Sequence, residues 1–141
     1  MKDVGSRADI DRLMEVFYER AIGDPVIGYI FTDVAKLDLE HHLPIIGDFW
    51  ESLLFGTPVY QKHGRNPMLV HQELHAKSEL VLEHFERWLE IFTKTVDDLF
   101  EGENAEHLKM RASAIAERFV QFLDVRPATP AEIGGVDRSH R

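Results

Sequence analysis

The chain has 141 residues, enough for one domain that buries roughly two thirds of the surface its unfolded form would expose. Its formal net charge of −9, from 25 acidic and 16 basic residues, argues against nucleic acid as the main partner, because phosphate binding depends on clustered Lys and Arg. With no cysteine there is no disulfide framework and no thiolate ligand, so any transition metal must rely on imidazole, carboxylate, thioether or phenol.

Met1 to Arg7 has no apolar run ahead of its charged residues, so no signal peptide is expected, and no stretch approaches the roughly 18 apolar residues of a membrane span. A reducing cytoplasm is the simplest compartment for such a chain. Ile10, Leu13, Met14, Phe17, Tyr18, Ala21 and Ile22 recur three or four apart and predict an amphipathic helix, which Gly23-Asp24-Pro25 ends. A second helix is marked by His42, Ile45, Ile46, Phe49, Trp50, Leu53 and Leu54; it is expected to start or bend near Pro44 and to stop at Gly56-Thr57-Pro58. Residues 56–66 then read as loop. Asn66-Pro67 predicts the start of a short helix carrying His71, with asparagine capping and proline in the first turn.

The longest pattern runs from Leu80 to Phe100, with Val81, Phe85, Trp88, Leu89, Phe92, Val96 and Leu99 on one face, and predicts the central helix. Asn104 is expected to cap a last helix that buries Leu108, Ala112, Ile115, Phe119 and Phe122 and ends before Arg126-Pro127. No strand alternation and no internal repeat is found, so the expected class is all-α. The domain should cover residues 1–125, leaving 126–141, with Pro127, Pro130, Gly134 and Gly135, as a flexible tail.

Among eight histidines, His42, His71 and His75 stand out. A histidine that binds haem iron must project from a helix into an apolar slot, its other nitrogen held by an acceptor, and His71, one turn after Pro67, fits that requirement. His71 and His75, four apart, are also spaced to share one divalent ion, although Gln72 and Glu73 do not reproduce the H-E-x-x-H of zinc hydrolases. His41 and His42 point about 100 degrees apart, so only one can face a shared pocket, and His42 is in phase with Ile46 and Phe49. Tyr18 and Trp88 read equally as core-edge aromatics or as an O–H and an N–H turned into one cavity, where a bound diatomic ligand would supply an acceptor.

In order, F-Y-E-R at 17–20, H-L-P at 42–44, F-W at 49–50, N-P-M-x-x-H at 66–71 and H-F-x-R-W-L at 84–89 resemble the truncated haemoglobins of group III over about residues 8–123. The resemblance implies a two-on-two helical sandwich around b-type haem, held non-covalently. By position, His71 matches the proximal iron ligand, Tyr18 and Trp88 the distal hydrogen-bond donors, and His42 a distal histidine that gates entry. Phe31 matches the phenylalanine packed on the haem, and Ile46, Phe49, Trp50, Leu53 and Phe92 would wall the pocket. His75 could compete with His71, and His41 could exchange roles with His42. Arg65, His63 and Lys62 are expected as propionate partners from charge and position. The resemblance further implies binding of oxygen, nitric oxide or peroxide, with nitric oxide detoxification or peroxidase-like chemistry driven by an unidentified electron donor. The alternatives are oxygen storage, transport or sensing without turnover, and a haem-free helical interaction domain.

Overall fold

The computed structural model describes residues 1–64 and 67–127, except for the side chains of Met68 and Leu69. Helix α1 is Arg7–Ile22, α2 Leu39–Phe55, α3 Pro67–Lys77, α4 Leu82–Leu99 and α5 Glu103–Leu123, and no strand occurs among the described residues. A five-residue π-helical turn, Ile30–Val34, joins α1 to α2, and one 3₁₀ turn, Gln61–His63, interrupts the expected loop after α2. Helix α1 packs on α2 and α4 on α5; contacts of α1 with α4 and of α2 with α5 lay one pair on the other, and α3 leans on α5.

The periodicity of α1 is realised closely. Ile10, Leu13, Met14, Phe17, Tyr18 and Ala21 are all buried, and Ser6 caps the helix through the N–H of Asp9. Helix α2 departs from expectation. It begins at Leu39, five residues before Pro44, which therefore lies inside the helix rather than at its start. Proline removes the bond that the Glu40 carbonyl would accept, and since Glu40 and Pro44 are both exposed, water can replace it.

The start of α5 is also corrected. Asn104 is not its cap; Gly102 occupies that position, and the capping oxygens come from Asp3, whose carboxylate accepts the backbone N–H groups of Asn104 and Ala105, both at 2.9 Å. Gly102 has φ +150°, and a Cβ there would meet the Asp3 side chain at 2.4 Å, so only glycine admits this cap. The Asn104 amide instead donates to the Val4 carbonyl. Phe122, placed on the buried face by the sequence, is half exposed, whereas Leu123 is buried. The stripe through Ala105, Leu108, Ala112, Ala116, Phe119 and Leu123 follows 3.6 residues per turn more closely than one ending at 122.

Helix α4 starts at Leu82 rather than Leu80, because Nδ1 of His84 accepts the N–H of Val81 at 3.0 Å, a side chain in the first turn reaching back to the capping residue.

Candidate functional site

Where the two helix pairs and α3 meet, they enclose a cavity of about 370 Å³. Its walls come from Met14, Phe17 and Tyr18 of α1, Ile27 to Leu37 of the connection, His42 to Trp50 of α2, Tyr60, the inner side of α3, His84, Phe85, Trp88 and Phe92 of α4, and Ile115 and Phe119 of α5. A mostly apolar wall with a few polar groups is the usual form of a cofactor pocket.

On one side lies an aromatic cluster. Phe17 meets Tyr18 edge-on at 5.0 Å, Trp88 at 5.9 Å and Phe92 at 5.6 Å, while Phe92 stacks between Trp88 and Trp50. Phe31 sits edge-on to Tyr18 at 5.7 Å. The Tyr18 hydroxyl lies 3.0 Å from Nε2 of His42. Burial pushes the Tyr18 phenol well above its ordinary range, so it keeps its proton and remains a donor. Trp88 lines the cavity, and its indole N–H has no acceptor among the described residues.

His71 reaches the same cavity from α3. Its Nδ1 donates to the Pro67 carbonyl at 2.8 Å, which fixes the tautomer and leaves Nε2 with a lone pair and no hydrogen-bond partner among the described residues. Its ring stacks on Phe119 at 4.1 Å, which sets the plane of the imidazole. Burial lowers the His71 pKa against the opposing Pro67 bond, favouring the neutral form that can ligate a metal.

His75 does not compete in this structure. Its Nδ1 accepts the N–H of Leu80 at 2.9 Å at the end of α3, it does not line the cavity, and no cluster of three or more metal-binding side chains occurs among the described residues. His41 is exposed, whereas His42 faces Tyr18. Phe31, Ile46, Phe49, Trp50 and Phe92 all line the cavity; Leu53 packs against the core without reaching it. Arg65 lies outside the described residues.

His63 and Lys62, expected at the propionates, turn to Asp48 instead, at 2.8 and 3.5 Å. Asp48 is buried on α2 and is also held by Arg7, whose guanidinium bonds Glu51 and the Pro44 carbonyl as well; a Cβ on Gly47 would meet that guanidinium at 2.7 Å. Burial raises the Asp48 pKa, but hydrogen bonds from His63 and Arg7 and the charges of Arg7 and Lys62 outweigh it, holding the carboxyl at about 2 against an ordinary 3.8. A depressed carboxyl contributes stability above its unfolded pKa that is lost as pH falls through its folded one. Between roughly pH 5 and pH 2 the protein should lose about 2 kcal/mol through this group, and Asp48→Asn should remove that part of the slope. Urea unfolding of both proteins across this range checks it; parallel losses would mean that Asp48 contributes nothing.

The sequence reading passed over His84, Tyr60, Leu74 and Phe119 as wall residues, and Lys77 and Glu73, which bring a cation and a carboxylate to the α3 wall. Phe119 was legible as core, but nothing in its spacing announced a ring beneath His71.

Comparison with known proteins places this geometry. The family description "Bacterial-like globin" matches residues 2–122. The chain belongs to this globin family. It is 29% identical over 121 residues to the group 3 truncated haemoglobin of Campylobacter jejuni, covering 84% of this chain and 91% of that protein. The crystal structure of the group III truncated haemoglobin from Campylobacter jejuni superposes with a TM-score of 0.75, covering 87% of this chain and 95% of that one. The resemblance to group III and the two-on-two globin fold expected from the sequence are both borne out.

As a globin, the protein is a haem-based binder of small gaseous ligands such as oxygen. The residues present fit the group: an imidazole whose Nε2 and an indole whose N–H have no hydrogen-bond partner among the described residues, and a broad apolar wall suited to a flat aromatic macrocycle. No helix among the described residues is long and apolar enough to cross a membrane.

Proposed function

We propose that this globin holds b-type haem through Nε2 of His71 and uses Tyr18, Trp88 and His42 to act on oxygen together with nitric oxide or peroxide, rather than to carry oxygen. Haem iron, when bound, supplies an open coordination position and a one-electron couple. The chain supplies the rest. The Pro67 carbonyl and the Phe119 ring orient the His71 imidazole, and the apolar wall excludes water from the cavity. Arg65 and Lys77 are the candidate partners for the haem carboxylates, and residues 1–125 form the functional domain.

The observation that carries this reading is the pair of donors in one apolar cavity. Trp88 Nε1–H has no acceptor among the described residues, and Tyr18 has a single proton to give either to His42 or to a ligand in the cavity. Donors fixed in a dry site favour a ligand that gathers negative charge, and this supports retention and chemistry over release. His42 decides where the Tyr18 proton goes. When its Nε2 accepts, the proton is held away from the ligand; when the imidazole swings outward, the proton is released to the cavity and the entry route opens.

Detoxification joins one nitric oxide, one dioxygen and one electron from an external donor into nitrate. Rapid mixing of the oxygen-loaded protein with nitric oxide should yield about one nitrate per haem, and repeated cycles when a chemical reductant is supplied. Oxygen released unchanged, with no nitrate and no peroxide-dependent oxidation of a dye, would leave storage or sensing as the function.

A further inference from the structure

Two residues outside the cavity wall bind the ends of the wall together. Asp24 follows α1, and its carboxyl is 3% exposed. One oxygen accepts the backbone N–H groups of Val26 at 2.9 Å and Ile27 at 3.1 Å; the other accepts Nε–H of Arg87 at 2.8 Å and lies 2.7 Å from its Nη2 in an ion pair. Ile27 and Trp88, the immediate neighbours in this linkage, both line the cavity, while Asp24 and Arg87 do not. The ion pair thus joins the connection after the Tyr18 helix to the α4 residue next to the Trp88 indole.

We propose that Asp24 and Arg87 are positioning residues for the distal donors, a deepening that rests on the role given above to Tyr18 and Trp88. Their fork fixes the rotation and height of α4 against the end of α1, so that the Trp88 N–H and the Tyr18 O–H are presented to one ligand atom. The Asp24 carboxyl is buried but the Arg87 side chain is 38% exposed, so solvent screens the pair and it is weak evidence of added stability, whereas the planar guanidinium tolerates little displacement. A hydrogen bond loses strength steeply with misalignment, so a small rotation of α4 would weaken the Trp88 donor without emptying the cavity. The remaining contact of Arg87, with Glu90, lies on its own helix and fixes nothing across the pairs.

The test uses Arg87→Met, which keeps the stem and removes the fork, and Asp24→Asn, which keeps an oxygen for Val26 and Ile27 and turns an NH₂ toward Arg87. Arg87→Lys restores charge without the fork, and Trp88→Phe sets the scale. In each haem-loaded protein the C–O stretching frequency of the carbon monoxide complex, the oxygen dissociation rate and the Tm are measured. Both Arg87→Met and Asp24→Asn should move the C–O stretch in the direction set by Trp88→Phe and speed oxygen loss by about threefold to tenfold. Arg87→Lys should recover part of each shift, and Arg87→Met combined with Trp88→Phe should speed oxygen loss by less than the product of the two single effects. A lower Tm with the stretch and the off-rate at parent values would overturn the proposal and leave the pair a tether. If Trp88→Phe itself moves neither signal, the donor reading fails first and the positioning role falls with it. Should Arg87→Met not fold, Asp24→Asn decides between the same outcomes.

Discussion

Replacing His71 with alanine is expected to lower haem affinity by at least about a hundredfold and to abolish the spectrum of imidazole-ligated ferrous haem. The expectation follows from three restraints on one side chain. The Pro67 carbonyl accepts the hydrogen bond from Nδ1–H, Phe119 fixes the ring plane, and Nε2 is left without a partner among the described residues. No other histidine among the described residues combines these features. His75 is tied to Leu80, His84 to Val81 and Tyr29, and His63 to Asp48. Exogenous imidazole should enter the space vacated in His71→Ala and restore both the spectrum and part of the affinity. A variant that keeps its haem and its ligation spectrum would move the iron ligand elsewhere, with His75 as the next candidate.

Removal of the donors should show in oxygen dissociation. A hydrogen bond to a charged acceptor is worth roughly 1.5 to 3 kcal/mol, so Trp88→Phe should speed oxygen loss by about one to two decades. Tyr18→Phe should have the smaller effect, because the Tyr18 proton is shared with His42 at 3.0 Å. His42→Ala separates the two roles: it commits the Tyr18 proton to the ligand and slows dissociation, while the vacated route speeds association at every pH. In the parent, association should be slower than in His42→Ala, since the imidazole bonded to Tyr18 occupies that side of the cavity. Stopped-flow rates for the parent and the three variants check all of this. Unchanged dissociation in both phenylalanine variants would remove the donor mechanism, and equal association rates in parent and His42→Ala would leave His42 as packing. The effects of Tyr18 and Trp88 need not add, because Phe17 touches both rings.

The helices were legible where one face is buried throughout. Six of the seven positions read in α1 are buried, and the α4 face through Phe85, Phe92 and Val96 points inward as its spacing requires. Termini were less legible, because caps can come from residues distant in sequence. Asp3 satisfies α5 from about a hundred positions away, and no local pattern around Asn104 reveals that. Pro44 illustrates the opposite failure, a strong local breaker overridden because its lost bond falls on an exposed turn. In the site, His71, Tyr18, His42 and Trp88 were nominated by order and spacing together, and all four line one cavity. Charge alone misled at Lys62 and His63, since a surface-looking cation carries no sign that a buried carboxylate such as Asp48 already claims it. The Asp24–Arg87 link was invisible for the same reason, as its partners are 63 residues apart.

The most direct test of the account is a haem titration of the purified apoprotein, followed by absorbance and completed by the ferrous spectrum. One cavity in which only the His71 imidazole has an Nε2 without a partner among the described residues predicts a Soret band that saturates sharply at one haem per chain and a ferrous form with a single histidine ligand. A titration without an endpoint at one equivalent, or a ferrous spectrum lacking the imidazole ligand, would contradict it.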